Sequence, residues 1–196
     1  MAAGLTFCPR SDVRRKRATI CRCPYLVVTC AVAVRPDLVA DGTSSGELKP
    51  EDFLWEPGTC CWTVRPGVGG MWVPDWAESE PDPIPVPSIG WVTWHIGWWW
   101  SVAIHHAQRR VPRDRTEIFW PGDGQVTIDW LGGLRVEWLA VLDRLTDADL
   151  DTTAALPWQN SPELTIAHMI GWVNSELMKN TAEIGQLRLL HSVSAG

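Results

Sequence analysis

The sequence predicts an all-α fold, a helical bundle, and two observations support that class. Apolar residues recur at spacings of three and four over three long segments, 88–110, 126–145 and 161–190, which is the pattern of amphipathic helices packed on a core. The segments between them are rich in proline, glycine and acidic residues, and none alternates apolar and polar residues as a half-buried strand does. Long helices joined by loops are typical of a bundle built around one core.

The composition of the chain changes near residue 45. Residues 1–50 hold eight Lys and Arg against four Asp and Glu, although the whole chain carries a net charge of -6. Cysteines are concentrated in the first thirty residues, whereas every tryptophan lies at or after Trp55. We therefore expect a basic, cysteine-rich N-terminal extension over residues 1–45 and a helical bundle domain over residues 46–196.

A four-helix bundle needs a first helix, and the N-terminal region leaves three alternatives open. The apolar segment Tyr25–Val34 could supply a poor first helix, because its β-branched residues form no helical stripe. The bundle could instead be incomplete and associate with a second copy. The residues before 45 could also be a misassigned reading of the gene.

Several classes of function are disfavoured by composition. The apolar segment Tyr25–Val34 is too short to span a membrane, and no convincing export signal precedes it. We therefore expect a cytoplasmic protein with reduced cysteines. The acidic excess makes nucleic acid an unexpected partner.

Residues 50–87 form the first part of the predicted domain. Pro50 is expected to start a short helical turn that ends before Pro57. The prolines that follow, at 74, 81, 83, 85 and 87, exclude regular helix and central strand. Tryptophans 55, 62, 72 and 76 would be costly to expose, so this segment is predicted to cover a core or the mouth of a pocket.

The next helix is predicted over 88–110. Ser88 is a suitable N-cap, and Arg109 and Arg110 lie where the helix dipole favours positive charge. His95 shares a face with Trp99 and His106 by its spacing. It has two interpretations, a core histidine bonded to a neighbouring carbonyl or acid, or a ligand of a functional site.

Two further helices follow, separated by an acidic turn at Asp147–Asp151. In the first, over 126–145, Gly132 and Gly133 either weaken the helix or let another helix approach closely. The second, over 161–190, is expected to begin with Ser161 as N-cap and Pro162 at its first position. A polar row runs along one side of this helix, formed by His168, Trp172, Glu176 and Asn180.

Residues 47–190 resemble the actinobacterial branch of the DinB-like superfamily, whose members are four-helix bundles. The resemblance is carried by the order and spacing of several short motifs, and the family's first helix has no recognisable counterpart before Asp52. The motifs are DFLWEP (52–57), CWTVRP (61–66), EPDPIP (80–85), IGWVTWH (89–95) and NSELMKNTAEIG (174–185).

The resemblance implies a divalent metal, zinc or nickel, held by one histidine of the second helix and two of the last. The second-helix position is His95, and the paired positions are Glu176 and Asn180. The predicted ligand set is thus His95, Glu176 and Asn180. Glutamate ligates zinc, whereas an amide oxygen is a poor ligand and the adjacent Lys179 disfavours a cation.

Two classes of function follow from the resemblance. One is a metal-dependent, thiol-dependent transferase or a hydrolase that acts on a small thiol or an apolar small molecule. The other is a non-catalytic helical bundle that has lost its metal and serves in binding or as a homodimer.

Overall fold

The computed structural model describes residues 50–158 and 161–194, and this part of the chain is mainly helical, as predicted. In chain order its helices are α1 (Pro50–Leu54), α2 (Ile89–Ala107), α3 (Gly124–Arg144), α4 (Asp147–Leu150) and α5 (Ile166–Ser194). Helix α2 packs against both α3 and α5, so it lies at the centre of the domain. The predicted extension over 1–45 and the alternative first helix at Tyr25–Val34 fall outside the described residues.

The segment between α1 and α2 forms two small two-stranded sheets, and its tryptophans cover the core as predicted. Strand β1 (Cys61–Trp62) pairs in parallel with β4 (Val86–Pro87), and β2 (Val64–Pro66) pairs antiparallel with β3 (Trp72–Pro74). The side chains of Trp55, Trp62, Trp72 and Trp76 pack against the buried residues of the domain. The sheets hold this cover in place over the first half of α2.

The start of α2 follows the prediction, but the helix ends earlier. The Ser88 hydroxyl accepts a hydrogen bond from the Trp91 amide at 3.2 Å, which caps the first turn. The last helical residue is Ala107, because Arg109 adopts the left-handed conformation with φ of 56°.

The predicted start of the last helix at Ser161 is wrong, because α5 begins at Ile166. The chain before it is held by Thr152–Ala154: the amide of Ala154 donates to the Leu164 carbonyl at 2.8 Å, and the amide of Ile166 donates to the Thr152 carbonyl at 2.9 Å. In the first turn of α5, the Nδ1 atom of His168 accepts a hydrogen bond from the Thr165 amide at 3.1 Å. The first member of the polar row therefore caps the helix from an exposed position.

Helices α3 and α4 complete the domain. The Asp123 carboxylate accepts from the Val126 amide at 3.0 Å, so α3 starts two residues before the predicted position. The acidic stretch after α3 forms the short helix α4 and not only a turn, because Thr146 and Asp149 make a capping box.

The core lies where α2 meets α3 and α5. Its largest fully buried side chains include Trp94, Trp138 and Met169. The close approach between α2 and α3 depends on Gly97, where an added Cβ would overlap the Trp130 ring. Gly132 and Gly133 have open space beside them, so the predicted role of these two glycines in helix approach is wrong. None of the helices in the described residues is long and apolar enough to cross a membrane.

Candidate functional site

The candidate site is centred on His95, in the second turn of α2, where two tryptophans of the same helix surround it. The imidazole stacks on Trp91 with ring centroids 4.9 Å apart and an interplanar angle of 12°, and it meets Trp98 at 5.7 Å. Its Nδ1 atom is buried and has no hydrogen-bond partner among the described residues. The sequence interpretation of a core histidine bonded to a carbonyl or an acid is therefore not what the structure has at this nitrogen.

The cover segment extends this cluster of rings. Trp62 stacks on the opposite side of Trp91 at 5.0 Å, and Trp76 meets Trp98 edge-on at 5.3 Å. The Asp75 carbonyl accepts the indole N–H of Trp91 at 2.8 Å, which fixes that ring beside His95. We call Trp62, Trp76, Trp91, Trp94, His95 and Trp98 the aromatic cluster.

Helix α5 contributes the polar side of the site. Lys179 Nζ lies 2.6 Å from Glu176 Oε2, and this ion pair is formed one helical turn apart on α5. Asn180 is almost fully buried, with 2% of its surface exposed, and its Nδ2 donates to the Glu176 carbonyl at 2.8 Å. The amide nitrogen of Asn180 is thus used within its own helix.

Charged residues of α5 shift the pKa of His95. Burial, and after it the positive charge of Lys179, lower the pKa of His95 to about 4, while Glu176 acts in the opposite direction. His95 is therefore neutral at physiological pH. On the same helix, burial raises the pKa of Glu183, an effect that Lys179 opposes and Glu176 strengthens.

Glu183 is the member of this group that the sequence analysis missed. It lies four residues after Lys179 and seven after Glu176, so all three fall on one side of α5. Helical spacing alone could have found it. We call His95, Glu176, Lys179, Asn180 and Glu183 the polar cluster.

The donor set differs from the one that is usual at a catalytic zinc ion. Zinc in catalytic sites takes three protein ligands from histidine, carboxylate and thiolate. The described residues contain no group of three or more His, Cys, Asp and Glu side chains placed to hold a metal ion. The Glu176 carboxylate is also held by the Lys179 ammonium, which adds a positive charge beside the place of a cation. Ligation by His95, Glu176 and Asn180 stays a prediction.

Comparison with known proteins identifies the family of the fold. The sequence model of the DinB superfamily matches residues 46–184. A solved structure, described as the conserved protein of locus from Enterococcus faecalis, is similar with a TM-score of 0.56 and 11% identity. The similarity covers 85% of this chain and 95% of that chain, and at this identity it concerns the fold alone. No curated protein matches the chain.

Proposed function

This chain belongs to the DinB superfamily, and we propose that it is a non-catalytic member that acts as a binding module without a bound metal. The observation that carries the proposal is the contact of 2.6 Å between Lys179 Nζ and Glu176 Oε2. The ammonium of Lys179 neutralises the negative charge of the Glu176 carboxylate, which would otherwise help to hold a divalent cation. It also makes the surroundings of His95 less favourable for any added positive charge.

The aromatic cluster supports a role in binding. Trp62, Trp76 and Trp98 are only partly buried, and Trp98 contacts a histidine that is neutral at physiological pH. Such a surface favours flat, apolar molecules, because ring faces give large contact areas at low cost in conformational entropy. The ligand class that follows is a small, uncharged aromatic compound.

A metal-dependent transferase or hydrolase is the second candidate. It is favoured by one observation, the neutral His95 whose buried Nδ1 has no partner within residues 50–158 and 161–194, because a histidine must be unprotonated to ligate a metal. In that case His95, Glu176 and Asn180 would be the ligands, and Lys179 would have to leave Glu176. A small thiol as co-substrate, a homodimer and a cytoplasmic location stay predictions of the resemblance.

The test compares metal affinity between the natural chain and a variant with restored ligands. Cys8, Cys21, Cys23 and Cys30 are replaced by Ser in every sample, because thiolates of the N-terminal region would bind zinc on their own. Cobalt(II), nickel(II) and zinc(II) are then titrated by calorimetry and by cobalt absorption. We expect no stoichiometric binding at micromolar metal by the chain with Lys179 and Asn180, and a gain on Lys179→Ala combined with Asn180→His.

His95→Ala is the control in both backgrounds. It should abolish the gain in the double variant and change nothing in its parent. Stoichiometric metal in the parent that disappears on His95→Ala would overturn the metal-free proposal and favour the enzyme. Binding at the aromatic cluster is tested separately with 2-naphthol by tryptophan fluorescence, where Trp98→Ala should weaken binding and an unchanged affinity would contradict the assigned surface.

A further inference from the structure

A second candidate site lies at the opposite end of α2 from His95. A cavity of about 200 Å³ is bounded by the last turn of α2, the region around α4 and the first turn of α5. His106 lines it and is eleven residues after His95, which places the cavity about 16 Å further along the helix axis. The other lining residues include Ala107, Arg109, Leu145, Asp149 and Ile166.

Arg109 occupies a backbone position that usually belongs to glycine. The amide of Arg110 donates to the His105 carbonyl at 2.8 Å and the amide of Arg109 donates to the His106 carbonyl at 3.0 Å, which is the Schellman pattern of a helix C-terminus. The residue at this position has φ of 56°, a left-handed conformation that a side chain disfavours. Strained backbone positions cluster at functional sites, so an arginine held in this conformation beside a cavity indicates a role for its guanidinium.

The ion pair of Arg109 leaves most of its donors available. Arg109 Nη2 lies 3.2 Å from Asp149 Oδ1, which occupies one of the five N–H donors of the guanidinium. The side chain of Arg109 is 77% exposed. The neighbouring acid Glu137 accepts from Gln108 and from Arg110, so its hydrogen bonds go to other side chains of this turn.

Asp149 is not a free anion at this site. Its Oδ2 accepts from the Thr146 amide at 3.0 Å and from the Thr146 hydroxyl at 2.6 Å, while Oδ1 accepts from Arg109. These hydrogen bonds lower the pKa of Asp149 and hold its carboxylate in the cap of α4. The acid therefore positions Arg109 and has little capacity left for a cationic ligand.

The rest of the lining defines the size and charge of a ligand. Ala107, Leu145 and Ile166 supply the apolar part of the lining, and Thr152 and Thr153 supply polar side chains, of which the Thr152 hydroxyl donates to the Asp149 carbonyl at 2.6 Å. The volume is that of about seven water molecules, which suits a molecule with a short carbon chain. A single guanidinium beside the negative end of the α2 dipole favours a monoanion over a phosphate dianion.

We propose that this cavity binds a short aliphatic carboxylate. The carboxylate lies against the free N–H donors of Arg109, and the carbon chain contacts Leu145 and Ile166. The guanidinium of the left-handed Arg109 is the group that holds the ligand. The site is independent of metal occupancy at His95.

The proposal is tested by calorimetry and NMR on the full chain near neutral pH, with 3-methylbutanoate as probe and the neutral 3-methylbutanamide as its matched analogue. We expect saturable binding of the carboxylate and at least about tenfold weaker binding of the amide. Arg109→Gly should reduce carboxylate affinity by about tenfold or more without lowering the melting temperature, because glycine is favoured at this position.

Three variants make the result specific. Arg109→Lys keeps the charge and loses the planar fork, so its affinity should lie between those of the natural chain and Arg109→Gly. Arg110→Ala removes a neighbouring guanidinium that does not line the cavity, and His95→Ala removes the distant site, so both should retain the affinity. The proposal is overturned by the absence of saturable carboxylate binding at millimolar concentration, by equal binding of the amide, or by unchanged affinity in Arg109→Gly.

Discussion

Helices α2 and α5 both contribute to the candidate site, but they differ in how far the fold constrains them. Thirteen of the 19 residues of α2 are buried, whereas only six of the 29 residues of α5 are buried. The buried residues of α5 form one stripe, from Ile166 to Leu187, and the other residues of the helix are exposed or only partly buried. Burial on nearly all sides fixes each residue of α2 by packing, while α5 can exchange polar residues with small effects on stability.

This difference separates the two halves of the candidate site. His95 on α2 is held by Trp91, whose ring stacks on the imidazole, and by Trp98, which meets it edge-on. The two positions expected to be histidine lie on α5, where Glu176 and Asn180 are accommodated by contacts within the same helix. The more constrained helix carries a histidine where the resemblance implies one, whereas the less constrained helix carries none at either of its two implied positions.

The largest effect on stability is expected when a glycine is replaced by alanine, and the sign of the effect should differ between the two helices. In Gly97→Ala on α2 the new Cβ overlaps the Trp130 ring, so we expect a loss of about 2–3 kcal/mol in the free energy of unfolding. Gly171→Ala on α5 has no atom within 4 Å of the new Cβ and should stabilise the protein by about 0.5–1 kcal/mol. Urea denaturation measures both changes. Equal effects of the two substitutions would contradict the comparison.

The second prediction is that the free energy of unfolding decreases at acidic pH because His95 becomes protonated. The pKa of His95 is about 4 in the folded chain against 6.5 for an unperturbed histidine, so between these values the unfolded chain binds more protons. The stability that the neutral His95 contributes is complete above pH 6.5 and is lost progressively as the pH falls toward 4.

The measurement is urea denaturation at several pH values in the presence of a chelator, for the natural chain and for His95→Gln. The variant should lose stability less steeply between pH 6.5 and 4, because glutamine does not titrate. Parallel slopes for the two proteins would show that His95 does not carry this dependence.

The smallest effect on stability is expected for Lys179→Ala on α5. Lys179 is 60% exposed, so loss of its ion pair with Glu176 should change the free energy of unfolding by less than about 1 kcal/mol. The same substitution should raise the pKa of His95, because Lys179 lowers it. NMR titration of the imidazole measures the shift. Arg109→Ala, about 20 Å further along α2, is the charge control and should leave the pKa of His95 unchanged.

The sequence by itself determined the family, the class of fold and the position of α2. Ser88, the apolar spacing and the cluster of tryptophans are local signals, and their meaning does not depend on distant residues. Helical spacing also predicted that Glu176 and Asn180 lie on the same side of α5. In each case the information lies within a few turns of one helix.

The tertiary structure decided what those residues do. Ser161 has every local property of an N-cap, yet α5 starts at Ile166 because Thr152–Ala154 pairs with the preceding segment. Gly97 is needed only because Trp130 comes from another helix. Lys179 acts on His95 across the α2–α5 contact, and Arg109 after the end of α2 pairs with Asp149 of α4. These interactions join residues that are far apart in the sequence, so the site depends on packing that no local pattern contains.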